Sequence, residues 1–89
     1  MKLPLDVVER ICAIFTPKEA AQVIQILDEW DSYLLQYPRS IVYLSNGDFQ
    51  KFIKLNEKGK RDPRDIIYEA EGAAGHYDHW FAITFPEIE

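Results

Sequence analysis

The stretch Thr16-Pro17-Lys18-Glu19-Ala20-Ala21-Gln22-Val23-Ile24-Gln25-Ile26-Leu27 decides the fold class of this chain. The Thr16 hydroxyl can accept from the unsatisfied N–H groups of a first helical turn, and Pro17 suits the first helical position. Glu19, three residues after the cap, completes a capping box. Behind it, Ala20, Val23, Ile24, Leu27, Trp30 and Leu34 recur at helical spacing, with Lys18, Gln22, Gln25, Glu29 and Ser32 on the polar side. The pattern predicts a helix from Pro17 to Gln36. Pro38 disfavours helical geometry in the residue before it and stops the helix at Tyr37.

The same punctuation extends outward in both directions. Upstream, a helix starts near Leu3-Pro4, with Asp6 and Glu9 in its early turns and an apolar stripe of Leu5, Val8, Ile11, Cys12 and Phe15. Downstream, a short helix fits Pro38 to Ser45, and Asn46-Gly47 supplies a left-handed stop. Asp48 caps a fourth helix from Phe49 to about Lys58, with Phe49, Phe52, Ile53 and Leu55 apolar and Gly59 ending it. Asp62-Pro63-Arg64-Asp65 repeats the Thr16 logic for a fifth helix to about Glu71 that buries Ile66, Ile67 and Ala70. Gly72-Ala73-Ala74-Gly75 breaks it. From His76 to Glu89 the pattern alternates: Tyr77, His79, Phe81, Ile83 and Phe85 interleave with Asp78, Trp80, Ala82 and Thr84, the period of a strand, and Pro86 ends it. One strand forms no sheet alone, so this segment docks across the helices or pairs with its copy in a second chain. The expected architecture is all-α: a bundle of four or five short helices (1–72) with an extended C-terminal segment (73–89).

Composition agrees with one small globular domain. The chain has 89 residues, 47% of them hydrophobic and 28% charged, and a chain of this size buries roughly two-thirds of its extended surface on folding. The single cysteine excludes an internal disulfide framework and an all-cysteine zinc site. A lone thiol, no secretory pattern around Lys2, Asp6 and Glu9, and no uncharged apolar run of spanning length suit a cytoplasmic protein without a membrane role. The net charge of -5 has the wrong sign for a general nucleic-acid binder. That charge is unevenly spread. Residues 37–64 are net basic through Arg39, Lys51, Lys54, Lys58, Lys60, Arg61 and Arg64, while residues 65–89 contain carboxylates and no Lys or Arg.

From Leu44 to Glu71, the elements Leu44-Ser45-x-Gly47-Asp48 and Asp62-x-Arg64-Asp65-Ile66-Ile67-x-x-Ala70-Glu71 resemble a helical pattern of short, uncharacterised bacterial proteins. The resemblance covers about a third of the chain and consists mostly of caps and core positions. It implies a helical fold for this stretch and a bacterial source, and it implies no activity, cofactor or catalytic residue.

Few residues gather as chemistry requires. His76, Asp78 and His79 are the one crowding of metal-ligand types, but a strand sends His76 and Asp78 to one face and His79 to the other, two ligands at most where zinc needs three or four. No nucleophile-elbow or P-loop spacing occurs, and Ser40 and Ser45 have no histidine nearby in sequence. Cys12 reads as a small buried hydrophobe of the first helix. The reading is therefore not an enzyme, and no cofactor is expected. Lys54, Lys58, Arg61 and Arg64 form either a small-anion or nucleotide site at the start of the fifth helix, or a solvated face paired with neighbouring carboxylates; Asp62 and Asp65 oppose an anion there. Aromatics are the more telling excess, at 13%. Trp30, Tyr33 and Tyr37 crowd the end of the second helix, and Tyr77, Trp80, Phe81 and Phe85 crowd the C-terminal segment, residue types that dominate protein–protein hot spots. The expectation is a non-enzymatic protein-interaction module that binds a protein partner or, as a homodimer, itself. An acidic antitoxin or immunity-type protein presenting Asp78, Glu87 and Glu89, and an anion-binding domain, are the alternatives.

Overall fold

Three of the five described helix starts carry side-chain caps, at Thr16, Asp48 and Asp62, where the sequence places them. The computed structural model describes residues 3–30 and 36–75. These form α1 (Leu5–Ile14), α2 (Pro17–Asp28), α3 (Tyr37–Ser45), α4 (Phe49–Arg61) and α5 (Pro63–Ala73), with no strand among the described residues. At α2 the Thr16 hydroxyl accepts from Glu19 N–H at 3.3 Å, and the Glu19 carboxylate accepts from Thr16 N–H at 3.4 Å. Asp48 accepts from Lys51 N–H at 3.1 Å to open α4, and Asp62 accepts from Asp65 N–H at 3.4 Å to open α5. Each such cap contributes about 1 kcal/mol. Between α3 and α4 the chain turns through Asn46 and Gly47, both left-handed. At Gly47 a Cβ would lie 2.8 Å from the Ile14 carbonyl oxygen, so α1 and this turn touch backbone to backbone.

The short α3 is the axis of the bundle. It packs on α5, α4 and α1; α1 also packs on α2, and α4 on α5. Tyr37, Pro38, Ser40, Ile41, Val42 and Ser45 are all buried, so α3 is covered around most of its circumference. Val7, Ile11, Phe15, Ala20, Val23, Leu27, Phe52, Ile66 and Ile67 close the core around it. Phe52 meets Phe15 edge-on and Phe49 in a stack, each with ring centroids 6.3 Å apart. An exposed ion pair between Arg39 and Asp6, 2.8 Å, joins α3 to α1.

Five expectations change. α2 ends at Asp28, not Gln36, and Glu29 serves as its C-cap. Asp28 and Glu29 put negative charge at the negative end of the helix dipole, and no basic residue in the last turn offsets it. Pro38 therefore does not end α2; it opens α3 as expected, with Tyr37, one residue earlier, as the first residue of that helix, and proline is tolerated in a first turn. α1 turns Val7, Ile11 and Phe15 inward, leaving Leu5 73% exposed and Cys12 exposed, so Cys12 is no core residue. α4 runs through Gly59 to Arg61. α5 runs through Gly72 to Ala73, and the chain turns at Ala74-Gly75, where Gly75 is left-handed. The alternating segment from His76 to Glu89 lies outside the described residues.

Candidate functional site

α4 carries its inward register one turn past its last apolar residue, and that extra turn builds the site. Phe52, Asn56 and Gly59 are its buried residues. Asn56 is only 4% exposed, so its amide must find partners inside the protein. It finds two. Its Oδ1 accepts from the Tyr37 hydroxyl at 2.9 Å and from the Trp30 indole N–H at 3.1 Å. An indole N–H can only donate, which fixes the Asn56 amide with its oxygen toward the two aromatics.

The aromatics also lock each other. The Trp30 and Tyr37 rings stack with centroids 4.2 Å apart and planes 29° apart. Tyr37 is fully buried and fills the space a side chain at position 59 would need: a Cβ on Gly59 would collide with the Tyr37 hydroxyl and come within 2.7 Å of ring carbon Cε2. Gly59 is therefore the seat of the Tyr37 ring and not a helix stop. Burial pushes the Tyr37 hydroxyl well above the ordinary tyrosine range, so it stays protonated and donates at neutral pH.

Trp30 differs from Tyr37 in being half-buried. Its outer surface lines a groove of about 440 Å³ between the end of α2 and one face of α4. Ile26, Glu29 and Trp30 form one wall; Ile53, Asn56, Glu57 and Lys60 form the other. Ile26, Trp30 and Ile53 supply apolar surface, Glu29 and Glu57 supply carboxylates, and the Lys60 ammonium lies 3.2 Å from Glu57. A second depression of about 510 Å³, lined by Arg10, Tyr43, Leu44, Ser45, Asn46, Asp48, Lys51 and Ala73, runs over the α3–α4 turn. Its Asp48 and Ser45 side chains are already bonded to backbone.

Part of the basic stretch is answered from within the fold. Lys58 reaches α5, with its ammonium 3.1 Å from Asp65 and 3.6 Å from Glu69. The hydrogen bond to Asp65, then the charges of Glu69 and Asp65, raise its pKa above the ordinary lysine value. Lys54, Arg61 and Arg64 are exposed, with Arg61 closing α4 and Arg64 in the first turn of α5.

Of the aromatics singled out in the sequence, the structure brings together Trp30 and Tyr37 and gives them opposite roles: Tyr37 is core, and only Trp30 reaches a surface. Tyr33, Tyr77, Trp80, Phe81 and Phe85, and the metal candidates His76, Asp78 and His79, lie outside the described residues. Among the described residues no three His, Cys, Asp or Glu side chains gather as a metal site, and no helix is long and apolar enough to cross a membrane. Sequence reasoning missed Asn56 and Gly59. Their signal is a register one: continuing the Phe49–Phe52 stripe of α4 by a turn lands on a polar residue and a glycine. Comparison with protein-family models, curated proteins and solved structures finds no match to this chain.

Proposed function

We propose that this chain is a small, non-enzymatic protein-interaction module whose contact surface is the groove between α2 and α4. The observation that carries the reading is Trp30, an indole held by a stack on Tyr37 and a hydrogen bond to Asn56, yet open to the groove. A large side chain with one end apolar and its rotamer already fixed loses little entropy on binding, which is why tryptophan anchors so many interfaces. Of the small-anion candidates, Lys58 is already engaged by Asp65 and Glu69, which favours the interaction reading over the anion one.

The test uses three immobilised baits: the full chain, Trp30→Ala, and Lys18→Glu at the exposed start of α2. A protein captured by the first and third and lost by the second supports the reading. Equal capture by all three, or capture by none, contradicts it. Sedimentation of the full chain gives the oligomeric state, and a dimer that Trp30→Ala dissociates would make the partner a second copy.

A further inference from the structure

We propose that the groove receives a peptide segment in which an aliphatic or aromatic residue stands beside a lysine or arginine, with a backbone carbonyl of that segment accepting from Asn56. The proposal rests on the interaction-module reading and assigns its partner's chemistry. Three features of the groove point the same way. Ile26, Trp30 and Ile53 offer apolar surface from both walls, which an apolar anchor side chain would cover. Asn56 has spent the lone pairs of its oxygen on Trp30 and Tyr37. Its remaining capacity is the NH2 group, in a residue that lines the groove while almost wholly buried. A donor in the groove wall beside Ile53 calls for an acceptor, and a backbone carbonyl is the acceptor every peptide carries.

Charge selects the flank. Glu29 lines the groove, makes no ion pair among the described residues, and caps the C-terminal end of α2, where the dipole is negative. Among the described residues that line the groove, the one cation, Lys60, is held by Glu57. The end of α2 therefore favours an incoming cation and repels an acidic segment.

The experiment selects a displayed library of random 12-residue peptides on the full-length chain, then titrates the enriched peptides by calorimetry and by proton–nitrogen NMR. The expected result is enrichment of sequences with Lys or Arg next to an apolar residue. Their affinity should fall about tenfold or more on Glu29→Lys, equivalent to about 1.4 kcal/mol, and the Asn56 side-chain NH2 resonances should shift on binding. Ile53→Ser tests occupancy of the groove, with Ile26→Ser as the substitute if circular dichroism shows that the first variant fails to fold. Peptides that need Ile53 but show no basic preference, or bind equally to Glu29→Lys, overturn this proposal and leave the module reading standing. Peptides indifferent to both wall variants, or no enrichment, overturn both. Self-association abolished by Ile53→Ser would assign the groove to a second copy and also overturn the proposal.

Discussion

Asn56 and Lys58 stand two residues apart on α4, and each joins its helix to other elements through two polar partners. Asn56 is buried, bonded to two aromatic donors, and its geometry is fixed by what an indole can do. Lys58 is half-exposed and shared between two half-exposed carboxylates of α5. The first arrangement would be costly to leave unsatisfied, since a buried polar atom without its partner forfeits roughly 1–3 kcal/mol. The second exchanges water for carboxylate in a solvated setting, where an ion pair adds little to stability. What this contrast teaches is that Lys58, conspicuous in the sequence, is compensated within the fold by α5. The less conspicuous asparagine organises the groove between α2 and α4.

The contrast can be broken from its costly side first. Tyr37→Ala removes the fully buried ring that fills the space at Gly59 and supports Trp30. It should cost roughly 3–5 kcal/mol, read as a lower urea midpoint; a loss below about 1 kcal/mol would mean that the ring is not a core element. Gly59→Ala gives a diagnostic sign. By helix propensity alone, alanine should add about 1 kcal/mol of stability. The collision with Tyr37 should instead cost roughly 1–3 kcal/mol, and a rise in the melting temperature would refute the packing described.

Alkaline pH sharpens the same point. The folded-state pKa of Tyr37 is raised, so the native state keeps a proton that the unfolded chain releases from about pH 10 upward. Stability contributed by the neutral hydroxyl is complete below that value and is lost as pH rises through the window between the unfolded and folded pKa values. Lys58, also raised, acts in the same direction above its ordinary value of 10.5. Urea unfolding measured from pH 9 upward should therefore show falling stability with a slope that Tyr37→Phe reduces; an unchanged slope would place the titration elsewhere. The smallest effect belongs to the solvated side. Lys58→Ala should leave the urea midpoint nearly unchanged, and any difference from wild type should shrink in 1 M salt, where screening acts over about 3 Å.

The sequence makes legible whatever is decided locally. Thr16, Asp48 and Asp62 act on N–H groups within their own first turns, and Asn46-Gly47 needs only its own backbone preference, so those boundaries appear in the structure as read. Tertiary choices leave weaker marks. α1 offers two neighbouring apolar stripes, Val7-Ile11-Phe15 and Leu5-Val8-Cys12, and spacing alone does not say which one the other helices cover. Gly59 has the composition of a stop and the role of a socket, because the ring that needs the space comes from α3. Register alone extends α2 over Trp30, whereas the structure breaks the helix before it and turns the indole toward Asn56. Half of the site was visible as an aromatic cluster. The other half, Asn56 with Gly59, gains its meaning only when α3 and α4 are placed side by side.

The central claim is that Trp30 is a rigid, half-exposed anchor held by Asn56 and Tyr37. The most direct test is nitrogen-15 relaxation at the Trp30 indole, assigned by comparison with Trp80→Phe, in wild type and in Asn56→Ala. The account predicts an indole order parameter close to that of rigid backbone, about 0.85, in the wild type, and a marked fall in Asn56→Ala. An indole already below about 0.6 in the wild type, the flexible range, would contradict it.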